Sequence, residues 1–153
     1  MQHIVPFLWY DGQAEAAATL YTSVFPNSQI DSVQRLPDGR TAVVEFTLFG
    51  QPYRAMDGGP GHPHSDAISF QVDVDDQAEL DHAWNALMAD GGRPLACGWL
   101  TDRWGVAWQI TPRRLGELLA TPDDGVRARV FAAMLEMVKI DLPALEAAAA
   151  HVD

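Results

Sequence analysis

The residues with chemical capacity fall into a few short clusters. Along Ala67 to Val74 polar and apolar residues alternate, with Ile68, Phe70 and Val72 at one parity and Ser69 and Gln71 at the other. A strand sends successive side chains to opposite faces. The apolar set is therefore predicted to face a helix, and Ser69 and Gln71 to face a concave side. By the same rule Val44, Phe46 and Leu48 separate from Glu45 and Thr47, and Gln109 falls on the concave side of its own strand. A largely apolar hollow with a few converging polar groups is the usual form of a small-molecule site. The same residues also suit a half-solvated sheet surface. Trp9, Trp99, Trp104 and Trp108 cluster near strand ends. Indoles there either stack on a flat ligand or pack under helices, and Trp108 is assigned to packing.

Two further groups carry reactive side chains. Cys97 stands just before Gly98-Trp99. A nucleophilic thiol needs a neighbouring cation or a helix N-terminus, and no partner adjoins it in sequence, so Cys97 is read as an inert thiol lining the pocket or buried. His62 and His64 form H-x-H, a metal-binding spacing on a strand, but they sit in the Gly/Pro-rich run from Gly58 to Ser65 and read as solvated loop residues. There is no G-x-S-x-G, P-loop or H-E-x-x-H.

The elements that must position these groups follow from periodicity. Ile4–Tyr10 reads as a strand, Gln13–Val24 as a helix with Ala16, Ala17, Leu20, Tyr21 and Val24 at helical spacing, and Ile30–Leu36, Thr41–Phe49 and Tyr53–Asp57 as strands. After a linker at 58–66, Ala67–Val74 reads as a strand. Gln77–Asp90 follows as a helix with Leu80, Ala83, Trp84, Leu87 and Met88 on one face, ended by Gly91-Gly92. Arg93–Ala96, Gly98–Thr101 and Val106–Thr111 are short strands. Both halves run strand, helix, three strands. D-x-Q-A-E occurs at Asp11–Glu15 and again at Asp75–Glu79, an offset of 64 positions shared by Ile4 with Ile68. A repeat at the same strand-to-helix junction indicates duplicated units. In both copies the acidic residue is expected to cap the helix that follows. Beyond Thr111, segments Arg114–Ala120, Asp123–Met137 and Leu142–Ala150 read as helices separated by Pro122 and Pro143, packed on the sheet or on a second subunit.

Composition bounds the rest. The chain has 153 residues, a formal net charge of −11 and only 10 Lys and Arg. These form no basic block, which argues against nucleic acid and against anionic membrane. One cysteine excludes an internal disulfide and suits a reducing compartment. No apolar run approaches the roughly 18 residues of a membrane span, and the N-terminus shows no signal-peptide pattern. A cytoplasmic protein is expected.

Several stretches resemble the PhnB-like (3-demethylubiquinone-9 3-methyltransferase-like) branch of the glyoxalase/bleomycin-resistance/dioxygenase superfamily, the vicinal-oxygen-chelate proteins. They are Phe7–Ala17, Ala55–Pro60, Ala67–Val72, Met134–Asp141 and above all Cys97–Pro112. The resemblance implies an α+β fold of paired βαβββ modules forming a cupped mixed sheet, and usually a homodimer. Module one spans about 3–57, module two about 67–112, and a C-terminal helical segment 113–153, within a single domain. Metal-using relatives carry His, Glu or Gln at four inward strand positions, where a divalent ion acts as a Lewis acid. Carried across, those positions fall near Ile4 or Val5, near Asp57, at Ala67, and at Gln109 within Asp102-x-x-Gly105-x-x-x-Gln109. Asp57 and Gln109 alone make a poor metal site, so no metal or other cofactor is expected. Methyl transfer lacks a glycine-rich strand-to-helix loop, since Gly58–Gly61 precedes a strand.

The leading expectation is a small-molecule binding protein without the family metal, with Trp9, Glu45, Asp57, Ser69, Gln71, Cys97, Trp99, Trp104 and Gln109 as pocket candidates. The alternatives are an enzyme of the same superfamily (metal-dependent, or acting on a quinone-like substrate) and a structural or regulatory dimer without ligand.

Overall fold

A computed structural model describes residues 4–150. The elements are β1 (Phe7–Tyr10), α1 (Ala14–Val24), β2 (Gln29–Arg35), β3 (Thr41–Leu48), β4 (Gln51–Asp57), β5 (Ser69–Val74), α2 (Gln77–Met88), β6 (Arg93–Pro94), β7 (Trp99–Thr101), β8 (Ala107–Pro112), α3 (Arg113–Leu119), α4 (Asp124–Leu135) and α5 (Leu142–Ala150). The chain divides into two compact units between Pro63 and His64, inside the Gly/Pro-rich run. The first holds a sheet ordered β1-β4-β3-β2, the second a sheet ordered β5-β8-β7-β6. In each sheet the outer strand before the helix pairs parallel with the last strand, and the other pairs are antiparallel. The βαβββ order expected of each half is present in both.

In the first unit Val44, Phe46, Leu48 and Ala55 lie under α1 and are buried with Ala14, Ala17, Ala18 and Tyr21. The apolar stripe of α1 thus runs through Ala14 and Ala18, whereas Ala16 is exposed and Leu20 half-buried. Both stripes share Ala17, Tyr21 and Val24. Packing chose the one whose small side chains let the helix lie close to the sheet. In the second unit Leu80, Ala83, Trp84 and Leu87 of α2 cover Val72, Val74, Leu100, Trp108 and Ile110, as the helical spacing predicts. Ile68 departs from expectation. Pairing with β8 begins only at Ser69, so Ile68 lies in the preceding turn at 75% exposure instead of facing the helix.

The two helix starts also differ. On α2, Asp76 accepts the Glu79 N–H at 2.9 Å, and the Glu79 carboxylate accepts the Asp75 N–H at 2.9 Å. This is reciprocal capping, with Asp76 rather than Asp75 as the cap. On α1 the position corresponding to Asp76 is Gly12, which has no side chain to offer, and Gln13 makes no side-chain cap bond. The cap comes instead from β4, where Asp57 Oδ1 accepts the Ala14 N–H at 2.8 Å. Asp11 does not cap the helix. At the far end of α2 the left-handed turn is made by Asp90 (φ 57°) and Gly91 (φ 116°), rather than by both glycines. Gly92 is required for another reason: a Cβ there would stand 2.6 Å from Met88 Cα.

The C-terminal helices belong to the second unit, and the stretch before α5 is strapped to it. Gln77 Nε2 donates to the Ile140 carbonyl at 3.2 Å, and Gln77 Oε1 accepts the Leu142 N–H at 2.8 Å. Lys139 Nζ donates to Asp81 at 2.6 Å. The backbone N–H groups of Cys97 and Gly98 donate to the carbonyls of Met137 and Val138 at 2.8 and 2.7 Å. Pro143 sits in the first turn of α5, where its missing N–H costs nothing. Gly98 has φ 81°, and a Cβ on it would meet Ile140 Cγ1 at 2.9 Å and the Ile110 carbonyl at 3.1 Å. Gly98→Ala is therefore expected to lower stability by about 1–3 kcal/mol, read as a fall in the urea midpoint without a change in slope.

Candidate functional site

Each sheet has one face under its helix, and the register defines what the other face presents. In the second unit Gln71 pairs with Gln109, and Gln109 with Trp99. One row across β5, β8 and β7 is thus carboxamide, carboxamide, indole. The next row is Ser69, Ala107, Thr101. Gln109 Nε2 donates to Ser69 Oγ at 2.8 Å, and Gln71 Nε2 donates to Asp73 at 2.8 Å. Ser69, Trp99 and Gln109 are half-buried and Gln71 is exposed. At the covered end Thr101 is 7% exposed, and its hydroxyl has no hydrogen-bond partner among the described residues.

In the first unit Glu45 lies between Ser32 and Arg54 in the ladder. It accepts from Ser32 Oγ at 2.9 Å and from Arg54 Nε at 2.9 Å. Thr47 Oγ1 donates to Asp31 at 2.7 Å. A cavity of about 190 Å³ lies against Glu45, Arg54, Asp31 and Pro52. Trp9 shares this face, being paired with Met56. Its indole N–H donates to the Gly59 carbonyl at 2.8 Å, and its ring lies 4.4 Å from that of His62. Gly58 allows this closure, since a Cβ there would stand 2.2 Å from the indole.

Asp57 lies elsewhere. It has the parity of buried Ala55, and its carboxylate serves the α1 N-terminus. Beside it is a cavity of about 380 Å³ lined by Asp11, Arg35, Arg40, Thr41 and Gly59. Arg35 and Thr41 both donate to Glu15, at 3.0 and 2.8 Å. Those bonds, Arg35 first, hold the Glu15 carboxyl below its ordinary range. Cys97 stands outside the sheet rows with φ 58°, half-buried, held by its backbone bond to Met137. Trp104 sits in the turn between β7 and β8, with the Arg103 guanidinium 5.2 Å from its ring centre. His62 lies in the first unit and His64 in the second.

Sequence reasoning missed the residue that shapes the β7–β8 turn. Asp102 is 2% exposed. Its Oδ1 accepts the N–H groups of Trp104 and Val106 at 2.9 and 3.0 Å, and its Oδ2 the indole N–H of buried Trp108 at 3.0 Å. Gly105 closes the same turn with φ 85°. In the sequence the run Asp102-x-x-Gly105 served only to place Gln109; the bond to Trp108 needed the fold. Ser32 and Arg54 were also missed, because only strand register shows that they flank Glu45.

The four positions that resemblance assigns to a metal do not fit one. They offer an isoleucine or valine, an alanine, a carboxylate committed to a helix N-terminus, and a carboxamide bonded to a serine. Among the described residues no group of three or more His, Cys, Asp and Glu is placed to hold an ion.

The fold and its paired units are those of glyoxalase/bleomycin-resistance proteins. A glyoxalase-related enzyme from Fulvimarina pelagi shares it at TM-score 0.50 and 18% identity, over 75% of this chain and 91% of that one. Protein PA1353 from Pseudomonas aeruginosa matches at TM-score 0.58 and 24% identity, over 73% and 98%. The chain belongs to the 3-demethylubiquinone-9 3-methyltransferase family, whose model matches residues 2–111. A PhnB protein from Bacillus cereus is 32% identical at TM-score 0.68, over 72% of this chain and 99% of that one. No curated protein matches the chain. The family match ends within β8, so it does not reach the resemblance read at Met134–Asp141. No helix among the described residues is long and apolar enough to cross a membrane.

Two outcomes test these assignments. Asp102→Asn turns an amide N–H₂ toward donors that need an acceptor, and is expected to cost about 2 kcal/mol with a changed near-ultraviolet tryptophan signal. Glu15 has its folded pKa lowered, so its contribution is present above the unfolded value near 4.5 and is lost as pH falls through the folded one. Glu15→Gln is therefore expected to lower the melting temperature at pH 7, with the difference from wild type vanishing under acid.

Proposed function

We propose that this chain binds a small, partly aromatic or apolar molecule without a metal, on the faces of its sheets left open by α1 and α2. The observation that carries this reading is the row Gln71, Gln109, Trp99. Two carboxamides and an indole stand side by side on the sheet face opposite α2, and the amides bond to Ser69 and Asp73 beside them. Polar groups held in this way keep their direction, and fixed groups on a rigid strand surface recognise a ligand at low entropic cost. Drug-sequestering members of this superfamily offer the analogy, although fold alone does not assign function. The homodimer usual in the family and a cytoplasmic location, in keeping with a single cysteine, complete the proposal.

A second reading has one observation in its favour, the family description itself, which names a methyltransferase acting on a demethylated quinone. It requires a methyl donor to bind. Thermal melts of metal-stripped protein separate the two. A diverse library of aromatic compounds is expected to contain ligands that raise the melting temperature progressively with concentration, with about 2.7 kcal/mol of stabilisation at a hundredfold excess over Kd, and Gln109→Leu is expected to weaken them. Mn²⁺, Ni²⁺, Zn²⁺ and S-adenosylmethionine are expected to give no such shift. A saturable shift near stoichiometric metal sinks the metal-free reading, and one with the methyl donor supports the enzyme.

A further inference from the structure

The row on the second sheet also has a chemical preference. We infer that its ligand is an uncharged planar ring with a hydrogen-bond donor and an acceptor side by side on one edge, as in a lactam. The inference rests on the binding reading above and specifies the ligand class.

Three features of the row lead there. The first is complementarity. A carboxamide offers one carbonyl oxygen and two N–H donors. Gln109 spends one bond on Ser69 and Gln71 one N–H on Asp73. Each is left with a carbonyl and an N–H, and a cyclic amide presents the matching acceptor and donor. Their strands lie about 4.8 Å apart, so the two side chains flank one ring edge rather than two separate ligands.

The second feature is charge. The side chains of this face on β5, β7 and β8 are Ser69, Gln71, Asp73, Trp99, Thr101, Ala107, Gln109 and Thr111, of which Thr101 and Ala107 are buried. The row Gln71, Gln109, Trp99 carries no charge. The charges near it are Arg93 of β6, which stands opposite Thr101 in the neighbouring row, and the Asp73 carboxylate, faced by Arg113 of α3 at 3.8 Å, which also pairs with Asp75 at 2.8 Å. The whole chain carries −11. An oxyanion would lose its hydration on this row and meet no counter-charge within it, Arg93 lying in the next row beyond Thr101. A neutral amide loses little and regains two hydrogen bonds.

The third feature is shape. Trp99 stands next to Gln109 in register and is half-buried. An indole beside a hydrogen-bonding edge gives a flat molecule a surface to stack on.

The probes are 2-quinolone, quinoline-2-carboxylate and 2-aminoquinoline, which keep one bicyclic ring and change its polar edge. Binding is read by quenching of tryptophan fluorescence, with Trp99→Phe identifying the reporting indole. 2-Quinolone is expected to quench saturably and to bind at least about tenfold more tightly than the carboxylate, a difference of the size of one charged or paired group. Gln109→Glu leaves acceptors only and adds a negative charge. It is expected to weaken 2-quinolone about tenfold and to strengthen 2-aminoquinoline at a pH where that ring is protonated, with the melting temperature little changed. An exchange of preference is something a merely structural role for Gln109 would not produce. The inference is overturned if the carboxylate binds as well as the lactam, or if Gln109→Glu leaves the order of the probes unchanged. If the library yields ligands while 2-quinolone fails to bind, the ligand class is wrong and the binding reading stands. If nothing in the library binds, both fall.

Discussion

Every feature of this chain that bears on function depends on one constraint: a pleated strand puts alternate side chains on opposite faces, and each four-stranded sheet has its helix on only one of them. Val44, Phe46 and Leu48 are buried under α1, which leaves Glu45 and Thr47 on the uncovered side. Val72, Trp108 and Ile110 are buried under α2, which leaves Gln71, Gln109 and Trp99. A shift of one residue in any strand would exchange the two sets and bury the carboxylates and amides without partners. The site therefore inherits its accuracy from the core. Hydrophobic burial fixes the register, and the register places the polar rows.

Those rows are held by bonds among themselves. Glu45 is neutralised by Arg54 and tied to Ser32; Gln109 is tied to Ser69. Among the described residues the one fully buried carboxylate has a different task. Asp102 gathers two backbone N–H groups and the Trp108 indole, fixing the turn that sets β7 against β8, and so Trp99 against Gln109. The C-terminal strap acts on the other end of the same strand. Backbone bonds from Cys97 and Gly98 to Met137 and Val138 anchor the loop that leads into Trp99. Residues far from the open face thus decide how rigid it is.

The duplication has also diverged in a way that bears on chemistry. The second unit caps its helix locally with Asp76, whereas the first has Gly12 at that place and recruits Asp57 from β4. The carboxylate at the end of the fourth strand thus serves a helix N-terminus. Its negative charge is favoured there by the aligned peptide dipoles as well as by the hydrogen bond.

The amino-acid sequence by itself determined the order of elements, the doubling of the unit, the buried face of α2 and the side of each strand on which Glu45, Ser69, Gln71 and Gln109 emerge. These follow from periods of two and 3.6 and from Gly and Pro, which act over a few residues. It misplaced Ile68 and the stripe of α1, because the end of a strand and the rotation of a helix depend on what pairs or packs with them. Only the tertiary structure decided that Asp57 caps α1, that Asp102 binds Trp108, that Ser32 and Arg54 flank Glu45, and that Gln71, Gln109 and Trp99 share one row. Each of those is a contact between residues distant in sequence, set by strand register and burial, which no local pattern specifies.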